Sequence, residues 1–463
     1  MELFRGREAE LKALEKKYKQ KDFVMAVVYG RRRVGKTRLI NEFIQKHNCR
    51  CVSFTAVERE EKELLSMMAE SVLLSLAPDM AGNVSFNSFD DLFDFVGKCA
   101  KKEKIIFFID EYPYLAKQCP YIQSVLQKEI DTKWHDSNLF LILCGSLVGF
   151  MKDEVLAESA PLHGRSSLEL KLGPFNYLET GDFFDGFTSE EKALCFGLTN
   201  GIAKYIEQFE QDQSMDDNII SQFFSVGGYF TEEQVKTILS NEKQNPALYN
   251  SIVSAVATGH TKNGEIASYI GSDDVSYPLR VLVNAEILEK RVSKRPYYVL
   301  NDSMLEFWFR YVNRATSLIN AGSGESYYRS HVKQYLHDFM GKVFEKMARE
   351  YLLMNAGRAG IPILTELCEY QDSVIDENKK RKQIEIDLIG KNGKNILLIG
   401  ECKFKNHPFD KEEFDKLLDK TRYVPAADPE IYIFSLGGFT EYVKENAGKC
   451  RLINIDDMYT HRR

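Results

Sequence analysis

The chain has 463 residues, of which 44% are hydrophobic and 28% are charged, and its formal net charge is −7. This composition is typical of folded globular proteins and excludes a low-complexity chain, and the length predicts about three domains. The longest apolar runs are no longer than strands, so a membrane span is not expected, and the acidic balance argues against a dedicated nucleic-acid coat protein.

The first predicted element is an apolar strand over residues 23–29, which leads through a glycine-rich loop into a helix over residues 37–47. Residues 30–37 read G-R-R-R-V-G-K-T, the pattern of a phosphate-binding loop in the context that such a loop requires. The two glycines permit backbone angles that turn amide N–H groups toward phosphate, and the helix adds its positive N-terminal end. A glycine-rich turn that matches by chance is the alternative. The residues expected to bind a nucleoside triphosphate are Gly30, Arg31, Arg32, Arg33, Val34, Gly35, Lys36, Thr37 and Arg38.

Four side chains in this region predict hydrolysis as well as binding. Lys36 would place a positive charge on the β- and γ-phosphates, and the Thr37 hydroxyl would ligate Mg²⁺. The apolar run over residues 104–109 predicts a buried strand that ends in Asp110 and Glu111. We expect Asp110 to contact Mg²⁺, directly or through water, and Glu111 to polarise the attacking water. A solvated strand end is the alternative interpretation of these two carboxylates.

A further strand is predicted over residues 139–144, and a Gly-Ser pair follows it. In P-loop enzymes a polar residue at this place can sense the γ-phosphate, which makes Ser146 a candidate sensor. A serine after a strand is equally a candidate helix N-cap. The sequence leaves both roles open.

The N-terminal residues and these motifs together resemble a known family. Residues 4–11 read F-R-G-R-E-A-E-L, and the later segments G-R-R-R-V-G-K-T and F-F-I-D-E complete a pattern similar to the archaeal-type ATPases. That family belongs to the AAA+-like STAND branch and is related to the origin-initiator ATPases. The resemblance implies ATP hydrolysis with Mg²⁺, and it places Phe4, Gly6 and Arg7 near the adenine base.

The same resemblance extends to residues 161–165, P-L-H-G-R, which match a family segment whose arginine approaches a γ-phosphate. Arg165 is therefore either a residue that stabilises transition-state charge, in its own subunit or in a neighbour within an oligomer, or an ordinary salt-bridged surface arginine. One departure is visible. Where relatives tend to carry G-G-x-P, residues 199–203 read T-N-G-I-A, which weakens any assignment of a sensor in the lid.

The cysteines and the start of the chain bear on its compartment. Residues 4–11 already belong to the segment that resembles the ATPase family, so we expect no signal peptide. The nine cysteines include no C-x-x-C pair, and the nearest two are Cys49 and Cys51. We therefore expect free thiols in a cytoplasmic protein, without disulfides or a zinc site.

Residues 168–245 alternate charged and apolar positions at helical spacing, which predicts the helical lid of the ATPase. Residues 246–312 predict a winged helix, in which a later helix enters the major groove and a basic two-stranded wing meets phosphate. A module that binds only proteins is the alternative. Its predicted helices cover residues 247–258, 262–270 and 276–285, and its strands cover 287–292 and 296–300. The candidate DNA contacts are Tyr277, Arg280, Lys290, Arg291, Lys294 and Arg295.

A second chemical pattern follows a predicted linker over residues 313–330. Strands over residues 382–390 and 396–404 predict a hairpin that carries Asp387, Glu401 and Lys403 in the pattern D-x13-E-x-K. Strand alternation places Glu401 and Lys403 on one face, with Asp387 on the adjoining strand. Two carboxylates can hold Mg²⁺ or Mn²⁺ against a scissile phosphate, and a lysine can orient or deprotonate the attacking water.

This region resembles the PD-(D/E)XK nuclease fold, which archaeal-type ATPases often carry at their C-terminus. In that fold an acidic residue on the preceding helix often completes the site, and Glu345 matches it. A helix over residues 409–421 and a strand over 430–435 would supply the remaining α–β unit. The E-x-K spacing alone is common on solvated strands, and a nuclease fold does not by itself imply catalysis.

The sequence thus predicts an α/β multidomain protein. Its parts are a P-loop core with a parallel sheet (1–167), a helical lid (168–245), a winged helix (246–312) and, after the linker, an α/β restriction-endonuclease-like domain (331–463). The predicted function is ATP hydrolysis coupled to action on DNA, with metal-dependent cleavage by the C-terminal domain. The alternatives are an ATP-driven regulatory switch with an inactive nuclease-like domain and protein partners, or an ATPase without a nucleic-acid role.

Overall fold

The computed structural model describes residues 4–47, 49–230, 245–292, 296–358, 360–375 and 381–460. The chain forms two compact units. The first comprises Met1–Pro174, Ile202–Lys204 and Arg280–Ile287, and the second comprises Phe175–Gly201, Tyr205–Leu279 and Leu288–Arg463. None of the helices in the described ranges is both long and apolar enough to span a bilayer. All nine cysteines are free thiols.

A five-stranded parallel sheet forms the centre of the first unit, with the strand order β2-β3-β4-β1-β5. Its strands are β1 Val24–Tyr29, β2 Arg50–Thr55, β3 Ile105–Asp110, β4 Leu139–Gly145 and β5 Leu168–Lys171. Every residue of β3 and β4 is buried, as expected for central strands of a parallel sheet that is covered on both faces. The predicted strands at β1, β3 and β4 are confirmed.

Helices cover both faces of this sheet. They are Glu8–Tyr18, Lys36–Gln45, Glu61–Leu76, Phe89–Ala100, Tyr112–Gln118, Ile122–Glu129 and Val148–Phe150, with short helical turns at Pro78–Met80, Ile130–Trp134 and Met151–Val155. Alternate residues of β1 face two separate cores, with Met25 and Val27 in one and Ala26 and Val28 in the other. The loop after β1 therefore starts from a strand that is fixed on both sides.

The lid prediction needs a correction at its beginning. Leu168–Lys171 is β5, which pairs with β1 at the edge of the ATPase sheet. Its four residues alternate between intermediate and exposed, and an edge strand of this length cannot be distinguished from a helical pattern by periodicity. The helices that follow are Tyr177–Gly181, Ser189–Thr199, Ala203–Ile206 and Met215–Phe223. The part of the predicted lid over residues 231–244 lies outside the described residues.

The next elements are three helices and a two-stranded antiparallel hairpin. The helices are Pro246–Ala257, Asn263–Ile270 and Ser276–Asn284, and the strands are β6 Leu288–Val292 and β7 Pro296–Leu300. These bounds agree with the predicted ones to within two residues. The predicted contacts Lys294 and Arg295 lie outside the described residues.

The segment predicted as a linker, residues 313–330, is helical. Ser303–Phe307, Trp308–Val312, Asn313–Ala315, Thr316–Asn320, Gly324–Tyr327, Tyr328–Val332 and Lys333–Tyr335 follow one another as short helices or helical turns. Tyr328 is fully buried, and its hydroxyl donates to Asp216 Oδ1 at 2.7 Å. Because these residues pack into the second unit, they are folded structure and not a linker.

The C-terminal part is an α/β fold around a mixed sheet with the order β12-β11-β10-β9-β8. Its strands are β8 Glu366–Ile375, β9 Arg381–Asn392, β10 Asn395–Lys403, β11 Glu430–Ser435 and β12 Arg451–Asn454. Strands β8 to β10 are antiparallel, and β10 to β12 are parallel. The helices are Leu336–Met354, Lys411–Thr421, Glu441–Asn446 and Ile455–Thr460. The predicted hairpin is confirmed as β9 and β10.

Candidate functional site

The loop between β1 and the helix Lys36–Gln45 has the backbone of a phosphate cradle. Arg33 and Gly35 both adopt positive φ angles, 69° and 95°, which reverse the direction of successive amides. A β-carbon at Gly30 would overlap the carbonyl oxygen of Leu172, just after β5, so only glycine fits there. Glycine positions in the sequence thus correspond to real steric requirements of the loop.

Lys36 is buried within this loop. Its Nζ donates to the carbonyl oxygens of Gly30 at 2.9 Å and Arg31 at 3.0 Å. Burial lowers the pKa of Lys36, and the neighbouring Glu111 and Asp110 oppose that shift. The ammonium group is therefore held at the mouth of the loop by backbone oxygens that a phosphate can replace.

A hydrogen bond joins the helix that follows the loop to the end of β3. Thr37 Oγ1 donates to Asp110 Oδ2 at 2.7 Å, while Asp110 Oδ1 accepts from the Glu111 amide at 2.9 Å. In the sheet order, β4 lies between β1 and β3, so this bond spans a strand. A hydroxyl and a carboxylate in contact form the oxygen donor set that Mg²⁺ takes in P-loop enzymes, so the residues present fit a magnesium ion.

Glu111 and Ser146 form a pair at the carboxyl end of the sheet. Glu111 has a positive φ of 49°. Its Oε2 accepts from Ser146 Oγ at 2.7 Å and from the Ser146 amide at 3.3 Å. The following helix, Val148–Phe150, has Leu147 as its N-cap residue, so the alternative role of Ser146 as an N-cap is wrong. Ser146 therefore contacts the carboxylate of Glu111, and its role as a γ-phosphate sensor stays a prediction.

Arg7, in the N-terminal segment over residues 4–11, contacts the phosphate-binding loop. Its Nη2 donates to the carbonyl oxygens of Val34 at 3.3 Å and Gly173 at 2.6 Å. Gly6 precedes it with a φ of 72°, and Phe4 packs on the core cluster beneath the sheet. The structure thus places Arg7 against the loop. Contact of Phe4, Gly6 and Arg7 with the adenine base stays a prediction.

Two more predicted arginines have protein partners. Arg32 donates to the hydroxyl of Tyr114. Arg165 forms a bidentate pair with Asp131, at 2.8 Å from Nε and 2.6 Å from Nη2, and also donates to the carbonyl oxygen of Pro161 at 2.9 Å. These contacts are those of a salt-bridged arginine. Its role at a γ-phosphate stays a prediction.

The second candidate site lies in the C-terminal sheet. Lys403 Nζ donates to Glu401 Oε1 at 2.6 Å, and Lys420 Nζ donates to the same oxygen at 3.4 Å. Asp387 Oδ2 accepts from the Cys402 amide at 2.7 Å, which fixes its carboxylate beside Glu401. The other oxygen of Glu401, Oε2, is buried without a hydrogen-bond partner among the described residues. A buried, unpaired carboxylate oxygen is costly unless something binds it.

Burial and neighbouring carboxylates raise the pKa of two carboxyl groups in this region. Burial, followed by the charge of Glu401, raises the pKa of Asp387 to about 6. Burial, followed by Asp387 and Glu369, raises the pKa of Glu345 to about 8. Burial lowers the pKa of Lys403, but Glu401 and Asp387 raise it by more. The hairpin and the helix Leu336–Met354 therefore bring all four predicted residues into electrostatic contact.

The donor set limits which metal this site fits. Among the described residues, no group of three or more His, Cys, Asp or Glu side chains is arranged as a metal cage. Mg²⁺ is usually held by one or two carboxylates together with substrate phosphates and water. Asp387 and Glu401 supply such a pair and the partnerless oxygen of Glu401 is available to a cation, so these residues fit Mg²⁺ or Mn²⁺.

Sequence reasoning missed Lys420 and Glu369. Lys420 lies in the last turn of the helix Lys411–Thr421, and Glu369 lies on β8, a strand that was not predicted. Arg291, a predicted phosphate contact, instead pairs with Glu369 and, at 3.0 Å, with Glu289. Glu369 reaches the site through the pairing of β8 with β9, and Lys420 reaches it through the packing of a helix on the sheet, so no local pattern in the sequence could have indicated them.

Comparison with known proteins agrees with this geometry. Residues 4–209 match the family model described as an ATPase domain predominantly from Archaea. Residues 308–417 match a model described as archaeal and bacterial proteins of unknown function. The Walker-type ATPase of Pyrococcus abyssi has a similar fold, with a TM-score of 0.50 and 18% identity over 66% of this chain and 96% of that one.

Two relatives come from Methanocaldococcus jannaschii. An uncharacterized protein is 29% identical over 98% of this chain and 100% of its own length. An uncharacterized ATP-binding protein is 44% identical over 43 residues, which cover 9% of this chain and 73% of that protein. Residues 4–209 are therefore similar to an ATPase domain found predominantly in Archaea, and residues 308–417 are similar to archaeal and bacterial proteins of unknown function.

Proposed function

We propose that this protein binds and hydrolyses ATP at the loop over residues 30–37, and that hydrolysis changes how its C-terminal part engages DNA. The observation that carries the proposal is the 2.7 Å hydrogen bond between Thr37 and Asp110, which brings both predicted magnesium-binding oxygens to the buried Lys36. When bound, Mg²⁺ would neutralise phosphate charge. Thr37 and Asp110 would hold it.

The remaining side chains have distinct roles in this proposal. Lys36 exchanges its two backbone carbonyl partners for phosphate oxygens, a stronger charge-assisted contact. Glu111 orients the attacking water and accepts its proton, and Ser146 holds the carboxylate in place until then. Arg7 keeps the loop against the end of β5 through the carbonyl oxygens of Val34 and Gly173.

The ATPase proposal is tested with Glu111→Gln, which keeps the shape of the side chain but removes its basicity. The rate of phosphate release should fall by roughly 10²–10⁴-fold, the usual contribution of a general base, while ATP binding persists. Glu103→Gln, an exposed change on the same unit, is the matched control and should retain the wild-type rate. Hydrolysis by Glu111→Gln at the rate of the control would overturn the assignment of the base.

A second candidate function is metal-dependent hydrolysis of phosphodiester bonds in the C-terminal domain. The supporting observation is the buried Glu401, whose Oε2 has no partner among the described residues and whose charge raises the pKa of the neighbouring Asp387. The element order also supports it, since the Glu345 helix precedes three antiparallel strands, a helix and a parallel strand, as in the nuclease fold that the sequence resembles. Asp387 and Glu401 would hold the cation, and Lys403 would orient the water.

This second function is tested by incubating supercoiled plasmid and single-stranded DNA with Mg²⁺ or Mn²⁺, with and without ATP. Cleavage should disappear in Asp387→Ala and persist in Asp415→Ala, an exposed aspartate on the helix Lys411–Thr421. As a readout independent of activity, Mn²⁺ should raise the melting temperature of the wild type more than that of Glu401→Gln. Cleavage by no form of the protein would favour the ATP-driven switch, whose partners are proteins that dock on residues 246–312.

A further inference from the structure

A large cleft in the second unit is lined by residues of the predicted winged helix and of the C-terminal domain, the two parts that carry candidate DNA-acting residues. Its volume is about 1180 Å³, above the roughly 300–1,000 Å³ of typical small-molecule sites. Residues of the β6–β7 hairpin line it, among them Arg291 and Tyr297. The Leu336–Met354 helix and β9 also line it, with Glu345 and Asp387 among their residues.

Three cations in this lining form no salt bridge among the described residues, although Lys342 interacts electrostatically with Glu345 and the Arg310 guanidinium lies 5.3 Å from the Tyr311 ring centroid. Arg310, Arg314 and Lys342 are exposed, and none of them forms an ion pair within the described part of the chain. Other basic residues of the lining are engaged, since Arg291 pairs with Glu369 and Lys346 donates to Asn200 Oδ1 at 3.0 Å. Arg310, Arg314 and Lys342 are therefore the cations that can bind an external anion without breaking an internal pair.

The spacing along the chain places Lys342 beside the acidic site and Arg310 near Arg314. Lys342 precedes Glu345 by three residues on the Leu336–Met354 helix, so both side chains lie on one helix face. Arg310 and Arg314 are four residues apart in the consecutive helical turns Trp308–Val312 and Asn313–Ala315. The cleft thus carries these positive charges in the same lining as the carboxylates of Glu345 and Asp387.

The charge pattern of the lining distinguishes between kinds of anion. Glu289, Glu306 and Glu385 also line the cleft, so its walls are not uniformly basic. A duplex presents closely spaced charge, about one per 1.7 Å of axis, and such walls do not complement it. A single strand can place separate phosphates on the isolated cations and stack a base on an aromatic ring such as Tyr297.

We infer that this cleft binds a single strand of nucleic acid, with Arg310, Arg314 and Lys342 on its phosphates and its backbone directed to Glu345 and Asp387. The direction of the strand toward Glu345 and Asp387 rests on the proposed phosphodiester chemistry. The inference adds the substrate class, the path and the three residues that hold it.

The test is fluorescence anisotropy of a labelled single-stranded oligothymidylate in EDTA, where cleavage cannot occur. Wild type should bind this probe more tightly than the corresponding duplex. The double variant Arg310→Ala/Arg314→Ala should bind about tenfold more weakly, and its salt slope should fall by about 0.7 for each phosphate that the variant no longer neutralises. Arg314→Lys, which keeps the charge, should retain most of the affinity. A matched RNA strand tests whether the cleft prefers ribose or deoxyribose, with no change to the protein.

The control is Lys416→Ala/Lys449→Ala, which removes two exposed cations of the same unit outside the cleft. It should bind like the wild type. Equal weakening by the two double variants, or tighter binding of the duplex, would overturn the cleft as the site. Cleavage that depends on Asp387 would still support the proposed chemistry in that case. Conversely, cleft-dependent binding without any cleavage would support the inference and overturn the nuclease.

Discussion

Lys36 is a buried cation whose two hydrogen-bond partners are carbonyl oxygens of its own loop. Replacing it with alanine removes the charge that meets the β- and γ-phosphates, and a hydrogen bond to a charged group contributes roughly 1.5–3 kcal/mol. We expect Lys36→Ala to lower ATP affinity by about 100-fold, measured by isothermal titration calorimetry, with the fold intact. Lys46→Ala, at the exposed end of the same helix, is the control. Unchanged affinity in Lys36→Ala would contradict the assignment of the loop.

Glu345 makes stability depend on pH when no metal is bound. Its pKa is raised from about 4.5 to about 8 by burial and by the nearby Asp387 and Glu369. The folded protein therefore keeps a proton that the unfolded chain releases, so the free energy of unfolding falls as pH rises from about 4.5 to about 8. Glu345→Gln cannot ionise and should escape this destabilisation. In EDTA at about pH 8.5 it should be more stable than wild type by on the order of 2 kcal/mol.

The measurement for this pH effect is a series of thermal melts from about pH 5 to about pH 9. The advantage of Glu345→Gln should be small at the acidic end and largest at the basic end. Glu385→Gln, an exposed glutamate on β9, should show no such trend. A constant difference between Glu345→Gln and wild type at every pH would mean that titration of Glu345 is not its cause.

At the scale of elements, the contact between the phosphate loop and the end of β5 is very close. A β-carbon on Gly30 would overlap the carbonyl oxygen of Leu172, which is backbone and cannot rotate away. We expect Gly30→Ala to separate β1 from β5 locally and to cost roughly 1–3 kcal/mol in a denaturant titration, with loss of ATP binding. Gly149→Ala is the control, because nothing lies within 4 Å of the added carbon. Similar effects of the two substitutions would show that the loop has room to adjust.

The elements that the sequence predicts well are those whose pattern is local. The apolar runs of β3 and β4 are fully buried and end in residues that contact the loop. In contrast, β8 has three carboxylates in ten residues and no alternation of apolar and polar positions. It is a strand because nine of its residues pair with β9, a long-range interaction that periodicity cannot report.

The same distinction applies to the acidic site. Asp387 and Glu401 were predictable because a tight turn at Gly393 joins their strands, and the turn pattern fixes their neighbourhood. Lys420 was not, since it reaches Glu401 from a helix 19 residues further along the chain. Likewise, the pairing of Glu111 with Ser146 depends on β4 lying beside β3, which follows from sheet topology and not from either motif.

At the scale of the whole molecule, the two compact units predict stepwise unfolding. All four residues of the proposed ATP cycle lie within Met1–Pro174 of the first unit. Calorimetry should therefore show two transitions, and ATP with Mg²⁺ should raise the midpoint of one of them. At a ligand concentration of about 100 times Kd, the stabilisation is about 2.7 kcal/mol. Lys36→Ala should abolish that shift, and a single transition that moves as a whole with ATP would contradict the independence of the units.

The buried Tyr177 shows how far apart in the chain the second unit's contacts are. Its hydroxyl donates to the carbonyl oxygen of Met458 at 2.9 Å, across a separation of 281 residues, and its amide donates to Glu350 at 3.0 Å. Ribosomes add roughly 5–20 residues per second, so Met458 is synthesised between roughly 15 and 55 s after Tyr177. The second unit therefore completes this contact only after Met458 has been synthesised, and the tyrosine lacks its native partner until then.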